Sequence, residues 1–194
     1  MTLRSLKKEI AMSHINLNND APGILGLMAY KPSTANALNN LAETILRGPS
    51  TLTQSERELI AGAVSYFNEC NFCHRSHAAA AEYCLKKDVG YTQKVAEDIE
   101  GSDVTPKMKA LLQIAKKVQK DGRTVTTADV KKAIENGATE EEVHDTVIVA
   151  AAFCMFNRYV DGMGTFAPEA TSPYYAQTGK RLGELGYMSS KPMS

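Results

Sequence analysis

Apolar side chains recur every three to four residues along most of this 194-residue chain, and nowhere alternate in the two-residue rhythm of a half-buried strand. That spacing admits helices and little else. The stretch STANALNNLAETILRGP places Leu38, Leu41, Ala42 and Ile45 on one face, and Gly48-Pro49 stops it. TLTQSERELIAGAVSYF opens with a capping box: Thr53 caps the first turn and Glu56, three residues on, reaches back to it. The apolar stripe Leu59, Ile60, Ala63, Val64 and Phe67 follows. A further helix is expected from near Cys70 through HAAAAEYCLKK to Gly90. TPKMKALLQIAKKVQKDG has Pro106 in its first turn and Gly122 beyond its end. TTADVKKAIENG reads as a short helix ended by Gly137. TEEEVHDTVIVAAAFCMFNRYV begins with a second capping box, Thr139 and Glu142, and SPYYAQTGKRLGELGY is a weaker final helix. The expected fold class is all-α: one helical-bundle domain over 1–194.

The two capping boxes lie 86 residues apart, and shifting one helix onto the other aligns Phe67 with Phe153 and Asn71 with Asn157. This is a faint internal helical repeat. Its second copy carries His144, Phe156 and Tyr159 where the first has Glu58, Cys70 and Cys73, so only one copy keeps the chemistry.

Charge and composition exclude several functions. The formal net charge is zero, with 22 basic and 22 acidic residues, which leaves no basic stripe for nucleic acid. Trp is absent and the eight Tyr are scattered, so there is no stacking platform for single strands. The longest apolar run, VIVAAAFCMF, is too short to span a bilayer, and MTLRSLKKEI lacks an apolar signal core. A cytoplasmic protein with no membrane partner is expected. In such a reducing compartment a close cysteine pair is catalytic, redox-sensing or metal-binding more often than a static staple.

That pair sits in ECNFCHRSH. On a helix, Cys73 and His77 are i and i+4 on one face, and Cys70 is i−3 to Cys73. Both thiols fall at the helix N-terminus, where unpaired N–H groups favour a thiolate. Glu58 lies on the preceding helix, on a face shared with the small residues Ala61, Gly62 and Ser65. An antiparallel packing of the two helices brings its carboxylate to the imidazole of His77. The result is a relay in which Glu58 orients His77 and His77 draws the proton from Cys73. Blander readings stand beside this one. Glu58 can simply complement a helix dipole, His77 can be a solvated helix residue, and Cys70, Cys73 and His77 can supply three zinc ligands, although no second Cys-rich knuckle offers a fourth. His74, turned about 100° from Cys73, is expected to be exposed. His144 is expected at the surface or an interface, and His14 lies in a polar leader. Cys84 and Cys154 read as core fillers, and Ala78 to Ala81 as a close helix–helix contact.

The pattern E-x11-C-x-x-C-x-x-x-H, filled by Glu58, Cys70, Cys73 and His77, resembles the active-site signature of the alkylhydroperoxidase D-like proteins of the carboxymuconolactone decarboxylase superfamily. PGILGLMAYKPSTANALNNLAETILRG resembles the leader of the peroxidase-related subgroup, and VIVAAAFCMFNRYVDGMG its late buried helix. The resemblance spans most of residues 20–170, with the CxxC site at 58–77. It implies an all-helical fold assembled as trimers or hexamers, and a peroxidase cycle without haem, metal or other cofactor. In that cycle Cys73 forms the sulfenic acid. Cys70 protonates the leaving alkoxide and then resolves the sulfenate into a disulfide. An external thiol reductant, dihydrolipoyl or thioredoxin-like, reduces the disulfide, and the substrate is a small or alkyl hydroperoxide. Well-studied members carry a histidine between the cysteines. Here that position is Phe72. Two other functions remain open at this point: a thiol–disulfide sensor or exchange module using the same pair, and a decarboxylase or lactone-processing enzyme. Relatives of the latter kind generally lack the paired cysteines.

Overall fold

The computed structural model describes residues 13–188; the leader MTLRSLKKEI lies outside them. Among the described residues there are nine α-helices, one 3₁₀ turn and no strand. In chain order the helices are α1 (Gly23–Tyr30), α2 (Pro32–Arg47), α3 (Gln54–Phe67), α4 (Asn71–Leu85), α5 (Tyr91–Glu97), α6 (Pro106–Asp121), α7 (Thr127–Glu135), α8 (Glu140–Gly162) and α9 (Pro173–Leu185). The all-α expectation holds.

Most boundaries follow from the capping chemistry. At α3 the Thr53 hydroxyl accepts from the Glu56 N–H, and the Glu56 carboxylate accepts from the Thr53 N–H at 2.8 Å. The Thr139–Glu142 box of α8 closes in the same way. A third box, Thr126 with Asp129, starts α7, a shorter carboxylate serving in the place that Glu holds in the other two. Two short helices, α1 and α5, escape periodicity because eight and seven residues are too few to display an apolar stripe. The cysteine helix also ends early, at Leu85, with Lys86 in the left-handed region, instead of running to Gly90. The cause is Glu82. Its buried carboxylate accepts from the N–H groups of Gly90 and Thr92, so it caps the start of α5 and turns the chain there.

The core is built from the stripes of α3, α6 and α8. Ile60, Val64, Leu111, Leu112, Val149 and Phe153 are all essentially sealed from solvent. A smaller apolar cluster, Cys70, Phe72, Cys73 and Val160, packs against Ile24, Leu25, Ala167 and Tyr174.

Helix α4 makes its most extensive contacts with α3 and its next most with α9. Small residues permit this closeness. A methyl group added at Gly62 of α3 would stand 3.1 Å from the Ala78 nitrogen of α4, and one at Gly179 of α9 would stand 2.5 Å from the Ala79 carbonyl oxygen. The run Ala78 to Ala81 is thus a close contact on two sides. The α3–α4 pair is antiparallel: Ser65 O accepts from Cys70 N, Gly62 O faces His74 Nδ1, and Glu58 faces His77, partners receding together from the turn.

Candidate active site

The three-residue connection Asn68–Cys70 closes the α3–α4 hairpin, with Glu69 at φ 58°. Cys70 is the N-cap of α4, which puts Cys73 in its first turn. Both thiols are free and buried. They stand where the helix's unpaired N–H groups and macrodipole favour negative charge.

The hairpin register carries Glu58 to His77. Glu58 is wholly buried, and its Oε2 lies 2.8 Å from His77 Nδ1. A carboxylate only accepts, so Nδ1 carries the proton and donates, which leaves Nε2 as the free ring nitrogen. The imidazole is fixed further by Phe153, whose ring meets it edge-on at 4.5 Å. His77 and Cys73 both line one cavity of about 220 Å³, together with Leu25, Phe72 and Phe156. The volume is that of roughly seven waters in bulk liquid. The walls are mainly apolar, and Arg181 and Asn39 are polar exceptions.

Tyr187 is a site residue that sequence analysis missed. It follows α9, and its hydroxyl donates to Glu58 Oε1 at 2.5 Å while lying 3.3 Å from His77 Nδ1. Its ring stacks parallel to the imidazole at 6.0 Å. Burial, with the Glu58 charge and hydrogen bond reinforcing it, holds the Tyr187 phenol well above its usual range, so it remains a donor. Both oxygens of the buried carboxylate therefore have partners. No local pattern marks Tyr187; it lies 129 residues from the group it serves.

Cys70 plays a different part from Cys73. It stands beside Cys73, with Asp161 of α8 exerting a smaller effect in the same direction. The Cys73 hydrogen bond first, and burial second, push its acidity far to the protonated side. It is thus held as a thiol, beside the sulfur that lines the cavity.

His74 corrects an expectation. It is buried, not exposed, with Nδ1 2.9 Å from the Gly62 carbonyl oxygen and its ring edge-on to Tyr66. A helical wheel with one buried face mispredicts it because α4 is enclosed by α3, α5 and α9. Cys84 is half-buried rather than sealed, whereas Cys154 is a core residue as expected. His144 is exposed and pairs with Asp145. Among the described residues no cluster of three or more His, Cys, Asp and Glu is arranged to hold a metal ion, and no helix is long and apolar enough to cross a membrane.

The hairpin and the helix before it, residues 32–83, match the model of the carboxymuconolactone decarboxylase family. Among solved structures, one similar to this chain is an uncharacterized peroxidase-related protein from Ralstonia eutropha JMP134 described as an alkylhydroperoxidase AhpD core. It is 27% identical, with 82% of each chain covered and a TM-score of 0.72. An uncharacterized peroxidase-related protein from Silicibacter sp. TM1040 is 24% identical over 81% of this chain and 80% of its own, with a TM-score of 0.71. A protein of unknown function from Agrobacterium tumefaciens, provisionally assigned to AhpD-type antioxidant defence, shares the fold at 19% identity and a TM-score of 0.64, over 74% of this chain and 96% of its own. No curated protein matches the chain. Residues 32–83 thus match the carboxymuconolactone decarboxylase family, and the helical fold around them is similar to that of the Ralstonia protein described as an alkylhydroperoxidase AhpD core.

Proposed function

We propose that the protein is a thiol-dependent peroxidase for small or alkyl hydroperoxides. The observation that carries the reading is the buried Glu58 carboxylate 2.8 Å from His77, with His77 and Cys73 on the wall of one largely apolar cavity.

The reaction balances on the residues present. His77 Nε2 takes the Cys73 proton, directly or through one water. The thiolate attacks the outer oxygen of R–O–OH; an S–O bond forms, the O–O bond breaks, and the electron pair leaves on RO⁻. Cys70, held as a thiol, gives that alkoxide its proton. The new Cys70 thiolate then attacks Cys73 Sγ and expels hydroxide, which takes the proton from His77 and departs as water. The product is a Cys70–Cys73 disulfide. A dithiol of the dihydrolipoyl or thioredoxin-like class returns both sulfurs to thiols. Glu58 and Tyr187 touch no reacting atom: they hold His77 in one tautomer and orientation.

The apolar cavity favours peroxide turnover over simple thiol–disulfide exchange, because exchange alone needs no enclosed space beside Cys73 for an organic group. Assembly into a trimer or hexamer belongs to the same reading. It is supported by the exposed Ile148 and Met155, which line the outer face of α8 two turns apart. Stopped-flow peroxide consumption tests the function: wild type turns over with a dithiol, and Cys73→Ser does not. Wild-type rates in Cys73→Ser would end the proposal.

A further inference from the structure

The two cysteines do not open on the same space. Cys73 lines the apolar cavity and Cys70 does not; Cys70 lines a separate, polar pocket of about 460 Å³, from which Cys73 is absent. Around Cys70 that pocket is walled by His74, Tyr66, Arg75, Glu69, Asn71 and Gln93.

His74 is prepared for proton transfer there. The Gly62 carbonyl can only accept, so the 2.9 Å contact fixes the proton on Nδ1 and leaves Nε2 with a lone pair. Among the described residues Nε2 has no hydrogen-bond partner, and it is not sealed: the fully buried unpartnered side-chain atoms are Arg57 Nε and Thr92 Oγ1. The charged and titratable groups around the ring are Arg75 and His77 on α4, Glu97 on α5 and Tyr66 on α3.

Resting on the peroxidase reading, we infer that this second pocket is the entry site for a thiol reductant, which attacks Cys70 with His74 as its general base. His74 Nε2 takes the proton of the incoming R–SH. The sulfur bonds to Cys70 Sγ, the Cys70–Cys73 bond breaks, and the electron pair passes to Cys73, which is reprotonated through His77. The second thiol of the same dithiol then attacks the mixed disulfide. Cys70 leaves, collecting the proton held by His74; the second thiol releases its proton to water, replacing the one that water supplied through His77 to Cys73, and the reductant departs as a closed disulfide. Two further facts agree with this direction. Burial holds His74 toward the neutral form a base requires. Cys70 also faces this pocket while Cys73 does not, so a thiol entering here meets the Cys70 sulfur. Peroxide and reductant therefore enter from different sides.

The test uses the full chain in a Cys84→Ser background, oxidised with diamide so that no peroxidase activity is needed. Glutathione is added, the mixture is quenched in acid and alkylated, and peptides are weighed. The adduct is expected on Cys70 with Cys73 alkylated; an adduct on Cys73 overturns the inference. In parallel, His74→Asn keeps a donor toward Gly62 and removes Nε2. Its reduction by dithiothreitol at pH 7 is expected to be slower by roughly tenfold to a hundredfold, and the gap closes as pH rises past the pKa of the attacking thiol. An unchanged rate at pH 7, or a gap that persists at every pH, overturns the role of His74. Should His74→Asn fail to fold, Gln93→Trp fills the pocket from an exposed position and is expected to slow reduction about tenfold relative to oxidation, a barrier of 1.4 kcal/mol; equal slowing of both would overturn the entry site. If diamide produces no Cys70–Cys73 disulfide at all, the peroxidase reading itself falls.

Discussion

Glu58 and His77 meet at 2.8 Å across the α3–α4 hairpin, the carboxylate sealed from solvent and the imidazole at the cavity wall. An ionised carboxylate is costly to bury unless every oxygen is answered. Here the imidazole N–H answers one and the Tyr187 hydroxyl the other.

Glu58→Gln preserves the shape and an acceptor for His77 Nδ1 but removes the negative charge that stabilises the imidazolium formed when Nε2 takes a proton. The value of kcat/KM for hydroperoxide is expected to fall about a hundredfold, the lower range of general acid–base contributions. Stopped-flow oxidation of the reduced protein measures it, and a change below twofold would remove Glu58 from the relay.

Tyr187→Phe deletes one hydroxyl and nothing else. A buried hydrogen bond to a charged acceptor is worth about 1.5–3 kcal/mol, so urea unfolding should show a loss of that order. The peroxidase rate should fall as well, since His77 loses part of its support. Full stability together with full activity would mean that the Tyr187–Glu58 contact contributes neither.

Gly179→Ala tests the α4–α9 contact. The added methyl would sit 2.5 Å from a backbone oxygen of Ala79, so α9 must move away. Overpacking of this kind costs about 1–3 kcal/mol, and thermal unfolding reads it. Because Tyr187 follows α9, the displacement should also lower peroxidase activity. The comparable change at exposed Gly122, whose surroundings are open, should do neither.

Asp129 governs behaviour in acid. Its hydrogen bonds to Lys117 Nζ, then to the Thr126 hydroxyl, lower its pKa from the ordinary 3.8 to about 2. A depressed acid contributes stability that is present above its unfolded pKa, and that stability is lost as pH falls from near 4 through about 2. Asp129→Asn is expected to be less stable at pH 7 by about 1 kcal/mol, a lost cap. Its unfolding free energy should also fall less steeply than wild type across that acid window. Parallel pH profiles would refute the assignment.

The helices that sequence reasoning placed correctly are those whose ends carry their own chemistry: α3 and α8 through Thr-to-Glu boxes, α6 through Pro106 and Gly122. The Glu58–His77 contact was legible for the same local reason. Cys73 and His77 share a face by helical spacing, and a hairpin of small residues brings Glu58 opposite. His74 was misjudged because periodicity assumes one buried face, whereas α4 has neighbours on several sides. The Tyr187–Glu58 hydrogen bond is a product of distant packing, which no window of a few residues encodes.

The hydroxyl that closes the relay comes from a residue emerging from the ribosome long after Glu58 and His77. During synthesis the paired sulfurs can already stand at the mouth of their helix while the imidazole is only half braced. Until the segment beyond α9 docks, one oxygen of the Glu58 carboxylate lacks the partner that it has in the finished fold.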